Sequence, residues 1–225
     1  MTTSWSSAVL FDIDGTLVDS NYQHVDAWTR AFEDVDHPVA AWLVHRAIGM
    51  DGSRLLEVLL PDADDAIRDR AKDLHLSYYE QHAQRLRPLP GARDLVAHLA
   101  EAGVAVVLAS SSSREELAIL REVLDVDAHV AAVTNASDVE TAKPRPELVA
   151  VALGKVGVAA SAAVLVGDAV YDMAAAVRAG VPAVGVLSGG IGADELTVTG
   201  ASAVFDDAAD LLENLDRTPI REMIQ

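Results

Sequence analysis

The sequence predicts an α/β protein in which a parallel-sheet core carries a second, smaller, all-helical unit inserted after its first strand. Three observations carry this reading. Residues 8–11 are a short, apolar, β-prone run. From residue 92 onward, strand-like runs alternate with segments of helical period, as a parallel sheet requires. Between these two parts, residues 17–85 show helical periodicity and no strand pattern.

The first element is the stretch Val9-Leu10-Phe11-Asp12-Ile13-Asp14-Gly15-Thr16. An apolar strand that ends in two carboxylates delivers chemistry at its tip, and Gly15 permits an abrupt turn there. Asp12 and Asp14 share a side if the extended backbone persists through Ile13, and two carboxylates together suggest a cation. A calcium loop opening at Asp12 would need Gly at its sixth position and Glu at its twelfth, where this chain has Leu17 and Gln23. A plain turn at Asp14-Gly15 is the bland alternative, and the distant partners below weigh against it.

In the inserted segment, Val25, Trp28, Ala31 and Phe32 recur at helical spacing, as do Ile67, Ala71, Leu74 and Tyr78 in a longer helix. Residues 39–48 and 53–60 are shorter helices separated by Gly49 and Gly52. Trp28, Phe32 and Trp42 are expected in the core. Arg87-Pro88-Leu89-Pro90-Gly91 marks a boundary and a hinge. The expected division is therefore 1–16 and 88–225 as the α/β core, with 17–87 as the helical unit.

Beyond the hinge, residues 92–102 form a helix closed by Gly103, and strand 104–109 runs into Ser110-Ser111-Ser112-Ser113. Ser113 and Glu116 have capping-box spacing, so Ser113 serves the next helix, Ser111 and Ser112 belong to the loop, and Ser110 is the functional candidate. Residues 129–134 are a weaker strand, after which Thr141-Ala142-Lys143-Pro144-Arg145-Pro146 leads rigidly into a helix over 146–156. Strand 163–167 ends in Gly167-Asp168-Ala169-Val170-Tyr171-Asp172, followed by a helix to Arg178. Residues 183–186 and 203–205 are further strands. Ser188-Gly189-Gly190-Ile191-Gly192 reads as a flexible connection, not as a dinucleotide fingerprint, and 217–225 carries no usable signal.

Composition narrows the function. A length of 225 residues with 51% hydrophobic content supports a sizeable core. A formal charge of −18 makes nucleic acid and anionic membranes poor partners. No apolar run reaches transmembrane length, and residues 1–7 lack the features of a secretory signal, so a cytoplasmic protein is expected. With no cysteine, disulfides, thiolate metal sites and a cysteine nucleophile are excluded. Only Lys72, Lys143 and Lys155 occur, which makes a lysine in a motif-like setting informative.

In a parallel α/β sheet, ligands bind beyond the carboxyl ends of the strands, so residues just after strands converge. Here those positions supply Asp12 and Asp14, Ser110, Lys143, and Asp168 with Asp172. So many carboxylates repel one another without a counterion, and all-oxygen ligation favours Mg²⁺. A lysine and a hydroxyl beside that ion make a phosphate pocket.

These four motifs, Asp-Ile-Asp-Gly-Thr, Ser110, Lys143 and Gly-Asp-Ala-Val-Tyr-Asp, in this order, resemble those of the haloacid dehalogenase-like hydrolases, in the phosphatase branch with a small helical cap. The resemblance covers nearly the whole chain. It implies a Rossmann-like core, a Mg²⁺ cofactor and an aspartyl-phosphate intermediate. Asp12 would be the nucleophile, Asp14 the general acid and base, and Lys143 and Ser110 the groups sharing phosphoryl charge. Asp12, Asp168 and the backbone carbonyl of Asp14 would hold the metal, with Asp172 orienting water or Lys143. An acid at Asp14 favours oxygen leaving groups over carbon–halogen substrates within that family. His24 resembles an acid/base-assisting histidine of β-phosphoglucomutase, and Arg54 is a candidate for substrate contact from the cap. The turn Gly49-Met50-Asp51-Gly52-Ser53-Arg54 departs from the mutase pattern. The expected substrate is a small phosphorylated metabolite, a sugar phosphate or a phosphoglycolate-like ester, and the chain is expected to be a monomer or weak dimer. The alternatives are a phosphomutase of the β-phosphoglucomutase type and a non-catalytic phosphate-binding regulator. His45, His75, His82 and His98 lack metal-ligand spacing and are assigned to surfaces or packing; Arg46 is a weak candidate for an anion contact.

Overall fold

The computed structural model describes residues 5–138, 143 and 145–224. Of the stretch leading into the helix at 147, Thr141, Ala142 and Pro144 lie outside the described residues. The centre of the molecule is β1 (Ala8–Phe11), four fully buried residues. β4 (Ala105–Ala109) and β6 (Ala163–Gly167) flank it, each parallel and in matching register, so that Ala8 pairs with both Ala105 and Ala163. With β5 (Ala132–Thr134), β7 (Ala183–Val186) and β8 (Ala201–Phe205), the sheet runs β5-β4-β1-β6-β7-β8 and is parallel throughout.

A strand buried on both faces needs apolar residues at every position, which is why β1, β4 and β6 read as continuous runs. Val9 and Phe11 face one layer, formed by α5 (Ala92–Glu101), α6 (Arg114–Leu124) and α10 (Ala208–Glu213). Ala8 and Leu10 face the other, formed by α7 (Glu147–Val156), α8 (Val170–Ala179) and α9 (Ala193–Thr199).

The helical cap comprises α1 (Asn21–Asp34), α2 (Ala41–Ala47), α3 (Gly52–Leu59) and α4 (Asp65–His82). It has a hydrophobic centre of its own, in which Val25, Trp28, Phe32, Val44, Leu55, Leu56 and Ala71 are buried together. The expectation of no strand in this region needs correction. Val18–Asp19 forms β2, antiparallel to β3 (Arg87–Pro88), so both crossings between core and cap run through one two-stranded ribbon. Two residues are too few to show a period, and Pro88, which lacks an N–H, obscures the signal of its own strand.

Trp42 is also corrected: it is 66% exposed, because the seven-residue α2 buries only Val44 and Ala47. The tail carries more structure than its composition suggests, with a 3₁₀ turn over Pro219–Met223 that seats Ile220 in the sheet's core. No helix among the described residues is long and apolar enough to cross a membrane.

Candidate active site

The loop after β1 is a closed ring of hydrogen bonds. Asp12 N–H extends the sheet by donating to Val166 O at 2.9 Å. The N–H groups of Thr16, Leu17 and Val18 then converge on Ile13 O at 3.2, 2.9 and 2.9 Å, and Gly15 N–H returns to Val18 O at 2.8 Å. Gly15 has φ +72°, and a Cβ there would lie 2.4 Å from Asn21 Nδ2 and 2.5 Å from Asp168 Oδ2. Only glycine meets both demands. The ring fixes Asp12 and Asp14 two residues apart in different surroundings.

Asp12 belongs to a buried charge cluster. Lys143 Nζ lies 2.5 Å from Asp12 Oδ1 and 2.7 Å from Asp172 Oδ1. Asp168 accepts from Thr16 Oγ1 and from Asn21 Nδ2, both at 2.9 Å. Asp172 also accepts from Ala169 N–H at 3.1 Å, which ties the cluster to the first turn of α8. All of these side chains are buried, and the cluster holds three carboxylates but one ammonium, which pairs with two of them. The consequence is a surplus of negative charge. Burial pushes the Asp12 carboxyl well above its ordinary range despite the pull of Lys143, and Asp172, Asp168 and Asp14 push it further. Burial and then Asp172 raise Asp168 to about 7. Burial alone would lower Lys143, but Asp12 and Asp172 outweigh it and keep the ammonium charged.

Oxygens of Asp12, Asp168 and Asp172 lie within 4.8 Å of one another, close enough to share an ion. An all-oxygen donor set with uncompensated negative charge fits a hard divalent cation. The connection 188–192 is held firmly against this cluster, contrary to its flexible reading. Ser188 Oγ donates to Gly15 O at 2.6 Å, and Gly189 O accepts from Asn21 Nδ2 at 3.3 Å.

Asp14 is wired differently. Its Oδ1 accepts from Ser20 Oγ at 2.5 Å and meets His24 Nε2 at 3.1 Å, while its Oδ2 accepts from Ser112 Oγ at 2.7 Å. Burial raises the Asp14 carboxyl, but His24, Ser20 and Ser112 together bring it below the ordinary value. For His24, burial lowers the imidazole and Asp14 and Glu116 more than reverse this. Beyond His24 stands His75, with its Nε2 3.1 Å from His24 Nδ1 and its Nδ1 3.3 Å from Glu116 Oε1. Burial, and then the charge of His24, hold His75 well below its usual range.

The remaining candidates are spread more widely. Ser110 is fully buried at the tip of β4, where its Oγ accepts from Ser112 N–H at 3.0 Å. Arg54 is not drawn into the site: it is exposed and pairs with Glu57 Oε2 at 2.7 Å. Arg46 is likewise engaged elsewhere, on Glu195 at 2.5 and 3.0 Å. His45, assigned to packing, meets Gly189 O at 2.9 Å and so adds a further contact between cap and core.

A cavity of about 60 Å³ lies over Asp12 and Asp14, lined also by His24, Trp28, Gly49, Met50, Ser111 and Ser112. It is far smaller than the ~300–1,000 Å³ usual for small-molecule sites, so the cap is seated close over the carboxylates. A wider cavity of about 540 Å³ adjoins it and shares Trp28, His75, Ser111 and Glu116. Sequence reasoning missed Ser20, Asn21, His75, Ser112 and Glu116 as members of the site, and placed Thr16 in the first motif without a partner. Of these, only Glu116 had a signal, its capping box, and that signal announced a helix start.

Comparison with known proteins places this geometry. The haloacid dehalogenase-like hydrolase family matches residues 9–186, from β1 through β7, and the chain belongs to that family. It is a phosphoric monoester hydrolase by class, in the phosphatase branch. A phosphoglycolate phosphatase of Rhodospirillum rubrum is 34% identical over 217 residues, covering 91% of this chain and 88% of that protein. The crystal structure of a hydrolase from Pseudomonas syringae superposes with a TM-score of 0.90 at 35% identity, over 94% of this chain and 98% of that one. A putative β-phosphoglucomutase from Bacteroides vulgatus shares the fold at a TM-score of 0.87 and 21% identity, over 99% and 92% of the two chains.

Proposed function

We propose that this protein is a Mg²⁺-dependent phosphatase that hydrolyses a small phosphorylated metabolite, a sugar phosphate or a phosphoglycolate-like ester, through an aspartyl-phosphate on Asp12. The observation that carries this reading is the contrast between two neighbouring carboxylates. Asp12 sits among Lys143, Asp168 and Asp172, whereas Asp14 sits among His24 and two hydroxyls. Neighbouring carboxylates in opposed environments mark divided roles.

In the first half-reaction, an Asp12 oxygen attacks phosphorus, the bond to the leaving alcohol breaks, and the alcohol takes a proton from Asp14. In the second, water attacks the acyl phosphate while Asp14 takes the proton of that water, releasing phosphate and restoring Asp12. Lys143 carries positive charge toward the phosphoryl oxygens, and Ser110 closes the same end of the site by ordering its loop. Asp12, Asp168 and the Asp14 carbonyl would hold Mg²⁺, which would supply the charge that keeps Asp12 ionised and shields it from an anionic substrate. Asp172 fixes Lys143. Residues 17–87 act as a cap that lifts on the β2–β3 ribbon from a core of 1–16 and 88–225, since the cavity beneath it is too small to admit an ester.

A mutase reading has one observation in its favour, the enclosure of Asp14 by the cap, because passing phosphoryl to a second hydroxyl requires exclusion of water. One assay separates the two. Phosphate release with Mg²⁺ is measured over phosphorylated sugars and short acids, phosphoglycolate and β-glucose 1-phosphate included. Rapid release that stops in Asp12→Asn supports the phosphatase. Conversion of β-glucose 1-phosphate to the 6-phosphate without release establishes the mutase, and release undiminished in Asp12→Asn defeats both.

A further inference from the structure

The side chains Asp14, His24, His75 and Glu116 form one continuous line: hydrogen bonds of 3.1 Å join Asp14 to His24 and His24 to His75, and Glu116 Oε1 lies 3.3 Å from His75 Nδ1. Its members alternate in origin. Asp14 and Glu116 come from the core, at the β1 loop and the first turn of α6, while His24 and His75 come from α1 and α4 of the cap. The line closes only where the cap is seated on the core.

All of these groups are sheltered from water, with His24, His75 and Glu116 at 6%, 3% and 8% exposure. The rings are held by stacking: His75 lies on Trp28 at 3.9 Å and 11°, and His24 on Tyr79 at 4.1 Å and 12°. Burying two imidazoles is costly unless their nitrogens are bonded, so a site that needed only packing would be served better by aliphatic side chains.

Glu116 gives the line its direction. Its other oxygen, Oε2, accepts from Ser113 N–H at 2.7 Å, so this carboxylate is anchored to the backbone as an acceptor. A carboxylate 3.3 Å from His75 Nδ1 favours a proton on that nitrogen; His75 then accepts at Nε2, His24 donates to it from Nδ1, and His24 Nε2–H is left facing Asp14. That proton is the one Asp14 needs when it acts as an acid.

We propose that His75 is a positioning residue for the acid–base pair Asp14–His24, set in its working orientation by Glu116 across the seam between α4 and α6. Protonation of a poorly departing alcohol then depends on a seated cap. This inference rests on the phosphatase reading and adds to it two residues that never touch the phosphoryl group.

The test compares two esters with Mg²⁺ present: β-glycerol phosphate, whose alkoxide needs a proton to leave, and p-nitrophenyl phosphate, whose phenolate does not. His75→Ala is expected to lower kcat for the glycerol ester about 10- to 100-fold, with KM changed by less than about threefold, and kcat for the nitrophenyl ester by less than about threefold. Glu116→Gln keeps an oxygen for Ser113 N–H and turns an amide N–H toward His75 Nδ1, reversing the line without removing atoms. It should show the same selective loss, which keeps the test decisive if His75→Ala does not fold. Equal losses on both esters, or no loss in Glu116→Gln, overturns the proposal while the phosphatase reading stands. Turnover retained in Asp12→Asn overturns the phosphatase reading, and this inference with it.

Discussion

The two halves of the site are built on opposite principles. The Asp12 half takes Lys143, Asp168 and Asp172 from the core, with Lys143 2.5 Å from Asp12 and 2.7 Å from Asp172 and almost no access to water, and draws only the Asn21 amide from the cap, onto Asp168 at 2.9 Å. The Asp14 half is assembled across a seam, from two core segments and two cap helices. A nucleophile and its charge partners must be fixed whatever the substrate, whereas an acid that protonates the leaving group is useful only once that group is enclosed. The difference places the chemistry common to many esters in the rigid part and makes the ester-dependent chemistry conditional on the cap.

This division can be broken by mutation, and the largest effect is expected at Asp12. Asp12→Asn removes the nucleophile and should lower turnover on every ester on the order of 10³-fold or more, as read by phosphate release. The fold should survive, since an amide at this position relieves negative charge. Asp14→Asn should cost roughly 10²- to 10⁴-fold on alkyl phosphates and distinctly less on p-nitrophenyl phosphate. If the two variants lose activity in the same pattern on both esters, the halves are not separable. Lys143→Ala tests the rigid half through stability. It leaves Asp12 and Asp172 buried against each other, and about 3–5 kcal/mol of unfolding free energy should be lost in metal-free denaturant titrations. Added Mg²⁺ should restore part of that loss.

The same division explains what was legible in the sequence. The strands β1, β4, β6 and β7 are buried on both faces, so their apolar runs stand out, and residues at their tips could be assigned to one end of the sheet by topology alone. Asp12, Lys143, Asp168 and Asp172 are brought together in this way. The seam had no such rule. His75 is 51 residues from His24, and Glu116 lies in a different helix again, so no local spacing relates them. Thr16 closes the first motif and Ser20 and Asn21 lie just beyond it, but nothing local says that Thr16 and Asn21 reach Asp168 while Ser20 reaches Asp14. The β2–β3 ribbon is two residues long on each side, below the length at which a period can be read. Ser112 was set aside for the loop because Ser113 fits the capping box; both statements hold, and Ser112 still reaches Asp14.

A smaller effect sharpens the electrostatic half. Asp168 is raised to about 7 by burial and by Asp172, and a cation must displace its proton. An acid raised on folding destabilises the metal-free protein progressively as pH rises from its unfolded value near 3.8 to about 7, and fully above that. Mg²⁺ binding should therefore strengthen as pH rises through about 7, by up to about 1.4 kcal/mol for each unit below it. The increase in Tm caused by saturating Mg²⁺ should be larger at pH 8 than at pH 6. An increase independent of pH would mean that Asp168 carries no proton in the metal-free site.

The smallest effect probes the seam, and its sign is fixed by two opposed shifts. His24 is raised above its ordinary 6.5 by Asp14 and Glu116 against the effect of burial, so its contribution to stability is complete below about 6.5 and fades as pH rises through the raised value. Asp14 is lowered beneath 3.8 against the effect of burial, so its contribution is complete above about 3.8 and fades as pH falls through the lowered value. The pair is at full strength between these limits. His75 acts in the other direction: it is held neutral by burial and by the charge of His24, and protonation of the unfolded chain below 6.5 works against folding. In His24→Gln the pair is lost and His75 is relieved of its charged neighbour, so the net deficit is modest, about 1–2 kcal/mol. Thermal unfolding of the variant beside the wild type should show that deficit widest near pH 5–6 and narrowing toward pH 9. A deficit that grows with pH would mean that the cap histidines meet Asp14 as a neutral pair, and the seam would then hold the cap by packing and not by charge.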